Sequence, residues 1–288
     1  LEDIRLVLDE ISNLEEICDL PGYEHVDPET VGAVLDELGR FVAEVIAPVD
    51  RIGDQEGCTI DDGVVAVPAA FGDAWDQFVE AGWSAIAQDP DYGGGGFPGA
   101  LQTVMTEMLA SASRSWSMGP MLTVGALDAL YAFADEGQKE TYLPKMVSAV
   151  WSGTMNLTEP QAGSDVGALT TRAVPQGDGT YRIFGTKIFI TFGEHEMTEN
   201  IIQLVLARTP DSPPGTKGIS LFLVPKYLVD DEGELGQRND YKCLSVEHKL
   251  GLHASPSCFL SYGDAGDGAV GYLVGEEHQG MRYMFKMM

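Results

Sequence analysis

Near Trp151 the period of the sequence changes, and no single layer of structure accommodates both halves. Up to about residue 150, apolar residues recur at helical spacing; beyond it, β-branched and aromatic runs alternate with turn residues. A chain written this way folds as a helical part followed by a β part, each burying one face. "DPETVGAVLDELGRFVAEVIAPVD" is the clearest helical segment. Asp27 caps it, Pro28 takes the first position, and Val31, Val34, Leu35, Leu38, Val42, Val45 and Ile46 form its stripe. Pro48 is expected to end it. "AFGDAWDQFVEAGWSAIA", "LQTVMTEMLASASRSWSM" and "MLTVGALDALYAFA" predict three more helices, and "DEGQKETYLPKMVSAV" a short helix pair broken at Pro144.

Beyond Trp151, "TYRIFGTKIFITFG", "NIIQLVLART", "KGISLFLVPKYLV", "YKCLSVEHKLG", "SCFLSYGD" and "AVGYLV" read as strands, with "QGDGTY" and "SPPGTKG" as turns between them. Several antiparallel strands of this kind predict a β-barrel or sandwich. After Gly275, "EEHQGMRYMFKMM" turns helical again, with an apolar stripe that nothing preceding it is set to bury. The expected fold class is α+β and multidomain: a helical bundle over 1–150, a β domain over 151–275, and at 276–288 the start of a C-terminal helical domain that is cut off.

The balance of 17 Lys and Arg against 45 Asp and Glu, a net charge of −28, excludes a nucleic-acid-binding face. Such acidity keeps a protein soluble, in a salty cytoplasm for instance, or is balanced by basic residues in a part not contained in this chain. No apolar run is long enough to cross a bilayer, and "LEDIRLVLDE" lacks the order of a signal peptide, so a cytoplasmic location is expected. Cys18, Cys58, Cys243 and Cys258 are far apart, and the five histidines show no ligand spacing, which argues against disulfides and against a metal site.

Chemistry concentrates in "MNLTEPQAGSDVGA", Met155 to Ala168. A proline, glycines, short hydroxyls and two carboxylates fit an elaborate loop, or a cradle of N–H and O–H groups around something flat, polar and anionic. Ser164 is not a hydrolase elbow, because Ala162 and Val166 stand where glycines are required. Glu159 and Asp165 form a possible acid–base pair, but no tuning partner is visible, and Asp165 is expected to bond nearby N–H groups. Gly93 to Gly96 lack the residues of a phosphate loop and are expected to form a flexible connection. "KIFIT", Lys187 to Thr191, reads by itself as an ordinary buried strand with Phe189 a core aromatic; if the strands of Thr158 and Thr191 are neighbours, two hydroxyls address one heteroaromatic edge while Phe189 covers a face.

These residues resemble the acyl-CoA dehydrogenase family, in particular its long bacterial branch. "NLTEPQAGSDVGA" is similar to the family's first signature, and "EAGWSAIAQDPDYGGGGFP", "GTKIFITFGEHEMTENIIQLVLAR", "EHKLGLHASPSCFLSYGD" and "GYLVGEEHQGM" extend the likeness from about residue 30 onward. The resemblance implies FAD at the edge of the β domain. Met155, Leu157, Thr158, Phe189, Ile190 and Thr191 would lie around the flavin, and Gly163 and Ser164 by the pyrophosphate and the CoA moiety. Thr209 would stand near the substrate. The family often has an aromatic residue where this chain has Met155 and a tryptophan where it has Phe189. It also implies α,β-dehydrogenation of an acyl-CoA thioester to the 2-enoyl-CoA, an electron-transfer flavoprotein as acceptor, and a homodimer or homotetramer. The catalytic glutamate is implied to lie beyond Met288, with no catalytic base within these residues; Glu276 and Glu277 read as solvated hinge residues. An acyl-CoA oxidase and a non-catalytic flavin-binding relative are the alternatives.

Overall fold

In the computed structural model, which describes residues 1–230 and 232–288, helices occupy the chain to Val147 and strands dominate from Trp151. Two short helices, α1 (Glu2–Leu6) and α2 (Leu14–Cys18), precede α3 (Pro28–Phe41). The Asp27 carboxylate accepts the Thr30 N–H at 2.7 Å and caps α3. Pro48 does not end the helix. A π turn over Val42–Ile46, closed by the Ala47 N–H on the Val42 carbonyl, leads straight into α4 (Ala47–Glu56) and carries the helix past Pro48, which has no N–H to continue the α ladder.

The remaining helices are α5 (Ala69–Glu80), α6 (Gly99–Ala112), α7 (Arg114–Phe133) and α8 (Glu136–Val147). The break between α6 and α7 falls at Ser113, whose hydroxyl accepts the Trp116 N–H, and Pro120 lies inside α7. Helix α8 likewise runs through Pro144 instead of breaking there. Pro144 and Glu140 are both exposed, so water satisfies the carbonyl that proline leaves without a donor. The hairpin of β1 (Thr59–Asp61) and β2 (Val64–Ala66) interrupts the helical part on an Asp62-Gly63 turn, both residues at positive φ.

The main sheet comprises β3 (Trp151–Asn156), β4 (Arg172–Pro175), β5 (Thr180–Thr191), β6 (Asn200–Ala207), β7 (Ser220–Pro225), β10 (Tyr241–Val246), β11 (Ser257–Tyr262) and β12 (Ala269–Leu273). A hairpin of β8 (Tyr227–Val229) and β9 (Leu235–Arg238) stands outside it, and α9 (Gly280–Met287) follows. The order is β10-β11-β5-β12-β7-β6-β3, with β4 also on β5. One pairing departs from the antiparallel expectation: β3 runs parallel to β6, with Trp151 opposite Asn200 and Asn156 opposite Val205. The end of β3 then returns to β5. Thr154 Oγ1 donates to the Thr191 carbonyl at 2.6 Å, and the Ile188 N–H donates to the Thr158 carbonyl at 2.9 Å.

Helices and sheet share one core. Leu127, Leu130, Leu143 and Met146 pack with Leu204, Leu221 and Leu223, at roughly 1.5–3 kcal/mol for each fully buried side chain. Gly153 lets α7 and α8 lie on β3, since a Cβ there would come within 2.5 Å of Ala126 Cβ and 2.9 Å of Met146 Cε.

The glycine run at 93–96 is not a loose connection. Gly94 N–H donates to the Asp89 carbonyl, Gly95 to Ala85, Gly96 to Gln88, and His25 Nε2 bonds the Gly95 carbonyl at 2.9 Å. A Cβ on Gly94 would sit 2.0 Å from the Gln88 oxygen, whereas Gly93 faces open space. Gly94→Ala is therefore expected to cost about 2–3 kcal/mol in urea unfolding. Gly93→Ala, which only strains a left-handed residue, is expected to cost about 1–2 kcal/mol. Equal losses would show that the loop is not packed backbone on backbone.

Candidate functional site

Strand β5 ends in an irregularity that its sequence does not announce. Cys258 of β11 pairs with Ile190 and Leu260 with Lys187, so Ile188 and Phe189 together oppose Phe259. This bulge holds Phe189 at φ 59°, a conformation that costs a bulky residue on the order of 1–3 kcal/mol. The ring it presents is 58% exposed. Three residues on, Phe192 is also left-handed at φ 51°, but it is buried among Trp75, Phe71 and Trp116 of the helical part. Its N–H donates to the Pro256 carbonyl at 2.7 Å. The end of β5 is thus anchored by one phenylalanine and displays another.

The loop after β3 is organised by Glu159, whose carboxylate is 1% exposed. It accepts Thr170 N–H at 2.7 Å and Oγ1 at 3.0 Å, Thr171 N–H at 3.0 Å and Oγ1, Gln161 Nε2 at 2.7 Å, and Lys187 Nζ at 2.9 Å. Burial alone would raise its pKa; the Lys187 ammonium and the Thr170 and Thr171 donors outweigh that and hold it at about 2. The expected role of Asp165 in gathering N–H groups thus falls to Glu159, while Asp165 is exposed and its side chain caps nothing. Arg208 fastens the far side of the loop, donating to the Gly167, Leu169, Pro213 and Gly215 carbonyls. Between these clamps, the N–H groups of Thr158, Gly163, Ser164 and Asp165 donate to no acceptor among the described residues.

The structure brings most of the residues singled out in the sequence together. Leu157 and Thr158 run alongside the end of β5, so Thr158 and Phe189, Ile190 and Thr191 occupy neighbouring segments. Met155 and Leu157 are half-buried against the core shared with the helices. Ile190 is buried, and the Thr191 carbonyl is held by Thr154. Gly163 lies next to Thr158, with only its Cγ2 at 3.8 Å from where a Cβ would be, and Ser164 is exposed. Thr209 is elsewhere: it follows β6 beside Ala173, which pairs with Ile183, five residues or about 16 Å along β5 from Ile188. Its hydroxyl donates to Glu277 at 2.9 Å, and Tyr181 donates to the same carboxylate at 3.1 Å. Glu277 is therefore a tethered residue and not a merely solvated one.

Sequence reasoning missed three supports. Lys187 was hidden as one polar letter inside an apolar run. Phe192 gave no sign of a positive φ. Glu194, 0% exposed and paired with Lys226 and Arg238, fixes the segment after Phe192. The neighbouring His195 is fully buried, and burial with Lys226 nearby pulls it down to about 3, so it stays neutral and pairs through Nε2 with Ser152.

The Glu159 clamp carries a pH signature. Its folded pKa lies below the ordinary 4.5, so its stabilisation is complete above pH 4.5 and is lost as pH falls towards 2. Glu159→Gln is expected to cost about 3–5 kcal/mol at pH 7 by leaving the Lys187 charge buried without its counter-charge. In acid titrations monitored by circular dichroism the variant should lose stability less steeply than the parent over that window. An unchanged acid profile would show that the carboxylate is not ionised in the folded state.

Two models of one family match this chain: acyl-CoA dehydrogenase, N-terminal domain, over residues 28–149, and acyl-CoA dehydrogenase, middle domain, over 154–264. The 3-methylmercaptopropionyl-CoA dehydrogenase of Ruegeria pomeroyi is 49% identical over the whole chain, which covers 48% of that protein. A butyryl-CoA dehydrogenase of Syntrophomonas wolfei is 37% identical, again over the whole chain and 48% of its own length. Among solved structures, an acyl-CoA dehydrogenase from Geobacillus kaustophilus superposes with a TM-score of 0.72 at 25% identity, over 91% of this chain and 62% of that one. The chain spans about half the length of the curated relatives it matches. With both models falling on the helical and β parts described above, the chain belongs to the acyl-CoA dehydrogenase family, of which it carries the N-terminal and middle domains.

Proposed function

We propose that the loop after β3 and the β5 bulge hold FAD, and that the protein removes hydrogen from Cα and Cβ of an acyl-CoA thioester to give the 2-enoyl-CoA. One observation carries this reading: a row of open N–H donors stands beside an exposed phenylalanine kept in a strained conformation. A flavin presents the matching chemistry, a flat ring with a polar edge joined to a pyrophosphate. In this reading Leu157 and Thr158 take the ring edge, while Phe189, Ile190 and Thr191 flank it, with Met155 at its margin. Gly163 and Ser164 meet the pyrophosphate and the CoA moiety.

When bound, FAD supplies the hydride acceptor, and the protein supplies orientation and exclusion of water. Glu159 is ionised and engaged by six donors, so it holds the loop and takes no proton from substrate. The base is assigned to another part of the protein. Thr209 serves as a substrate contact through the lone pairs of its hydroxyl, whose proton is given to Glu277. Electrons pass to a flavoprotein acceptor, and the working form is a cytoplasmic homodimer or homotetramer.

The test is an FAD titration of the full-length protein, followed by anaerobic addition of a panel of acyl-CoA thioesters. Uptake of FAD and bleaching of its visible band by a subset of the thioesters, with slow reoxidation in air, is expected. Fast reoxidation would favour an oxidase, and no bleaching with any thioester would sink the dehydrogenase reading. Phe189→Gly is expected to leave ligand-free stability within about 1 kcal/mol, because glycine accepts φ > 0. The same change should weaken FAD about tenfold or more, as loss of a stacked aromatic worth roughly 1–3 kcal/mol implies. If affinity is unchanged in that variant, the exposed ring is not part of the cradle.

A further inference from the structure

Lys187 Nζ donates to two acceptors: the Glu159 carboxylate at 2.9 Å and the Leu157 carbonyl at 3.1 Å. Its side chain is 0% exposed. The Leu157 carbonyl and the Thr158 N–H belong to one peptide unit. One end of that unit therefore faces a buried ammonium, and the other is a donor with no acceptor among the described residues. A cation on an amide oxygen withdraws electron density from the group and makes its N–H a stronger donor. Away from water the effect is large, because hydrogen-bonded groups polarise one another and charge-assisted bonds are about twice as strong as neutral ones.

The surroundings leave this polarisation intact. A lone buried ammonium would shed its proton, and Glu159 prevents that. The carboxylate's own charge is met by five further donors, from Gln161, Thr170 and Thr171. The negative end of the pair is thus covered by dipoles, while the ammonium has the Leu157 oxygen to itself on the other side.

We infer that Lys187 acts as a positioning and polarising residue, which through the Leu157–Thr158 peptide favours whichever state of the bound group carries more negative charge. The inference rests on the reading that this loop holds FAD. The reduced flavin is the more electron-rich state, so Lys187 raises the reduction potential of the bound cofactor. Thr158 touches the ring edge; Lys187 does not, and acts only through the peptide.

The experiment measures the midpoint potential of FAD bound to the full-length protein with a reference dye. It compares the parent, Lys187→Met, and the double variant Glu159→Gln/Lys187→Met, which removes both charges and so leaves no orphaned carboxylate if the single variant fails to fold. The ratio of affinities for reduced and oxidised FAD is expected to fall at least tenfold in each folded variant, about 30 mV for a two-electron couple. Thr171→Val loosens the same clamp without touching the ammonium and should leave the ratio within threefold. A fall smaller than tenfold in the double variant overturns the inference, and so does an equal fall in Thr171→Val, which would mark a merely structural role. If the parent takes up no FAD, the flavin reading falls and this inference with it. That result differs from a parent that binds FAD with a potential blind to Lys187.

Discussion

A carboxylate taken out of water has to be given donors, and around Glu159 that requirement shapes everything nearby. Its ligands come from three places: the loop itself at Gln161, the segment entering β4 at Thr170 and Thr171, and the middle of β5 at Lys187. Satisfying one ion therefore draws three segments to a point. The loop that results is held at both ends, yet the N–H groups of Thr158, Gly163, Ser164 and Asp165 have no acceptor among the described residues. An apolar pair at positions 159 and 187 would bury as well, but it would gather none of these hydrogen-bonded partners. The pair contributes shape, and its net stability is secondary.

The second constraint is the meeting of helices and sheet. Phe192 inserts among Trp75, Phe71 and Trp116, and Gly153 lies under Ala126 and Met146. Both contacts sit close to the loop: Phe192 one residue past Thr191, Gly153 two residues before Met155. The helical part therefore sets the position of both segments that converge on the site. This explains how the strained end of β5 persists: the buried Phe192 just beyond the strand anchors the backbone that holds the exposed Phe189 in its left-handed conformation.

How much of this was legible in the sequence depends on the range of the interaction. Asp27 with Pro28 marks a helix start through bonds three residues apart, and the alternating runs after Trp151 mark strands, so both could be read locally. The neighbourhood of Thr158 and Thr191 came from motif likeness together with the strand pattern. Pro48 and Pro144 misled because a proline's cost depends on how the neighbouring backbone accommodates the orphaned carbonyl, which local sequence does not display. The hairpin at 59–66 was missed although Asp62-Gly63 was a usable signal. Lys187 was unreadable in principle: nothing within several residues of it hints that its counter-charge lies 28 positions earlier.

The parallel pairing of β3 with β6 has a kinetic meaning. An antiparallel neighbour closes on a short turn, but Trp151 reaches Asn200 only after the chain has laid down β4 and β5 between them. The search that docks β3 is therefore a long-range one, paid in loop-closure entropy before any contact rewards it. Leu157 and Thr158 extend directly from that strand. Their place beside β5 is settled by non-local closure, so the part of the molecule that would grip a ligand rests on pairings that carry a loop-closure cost.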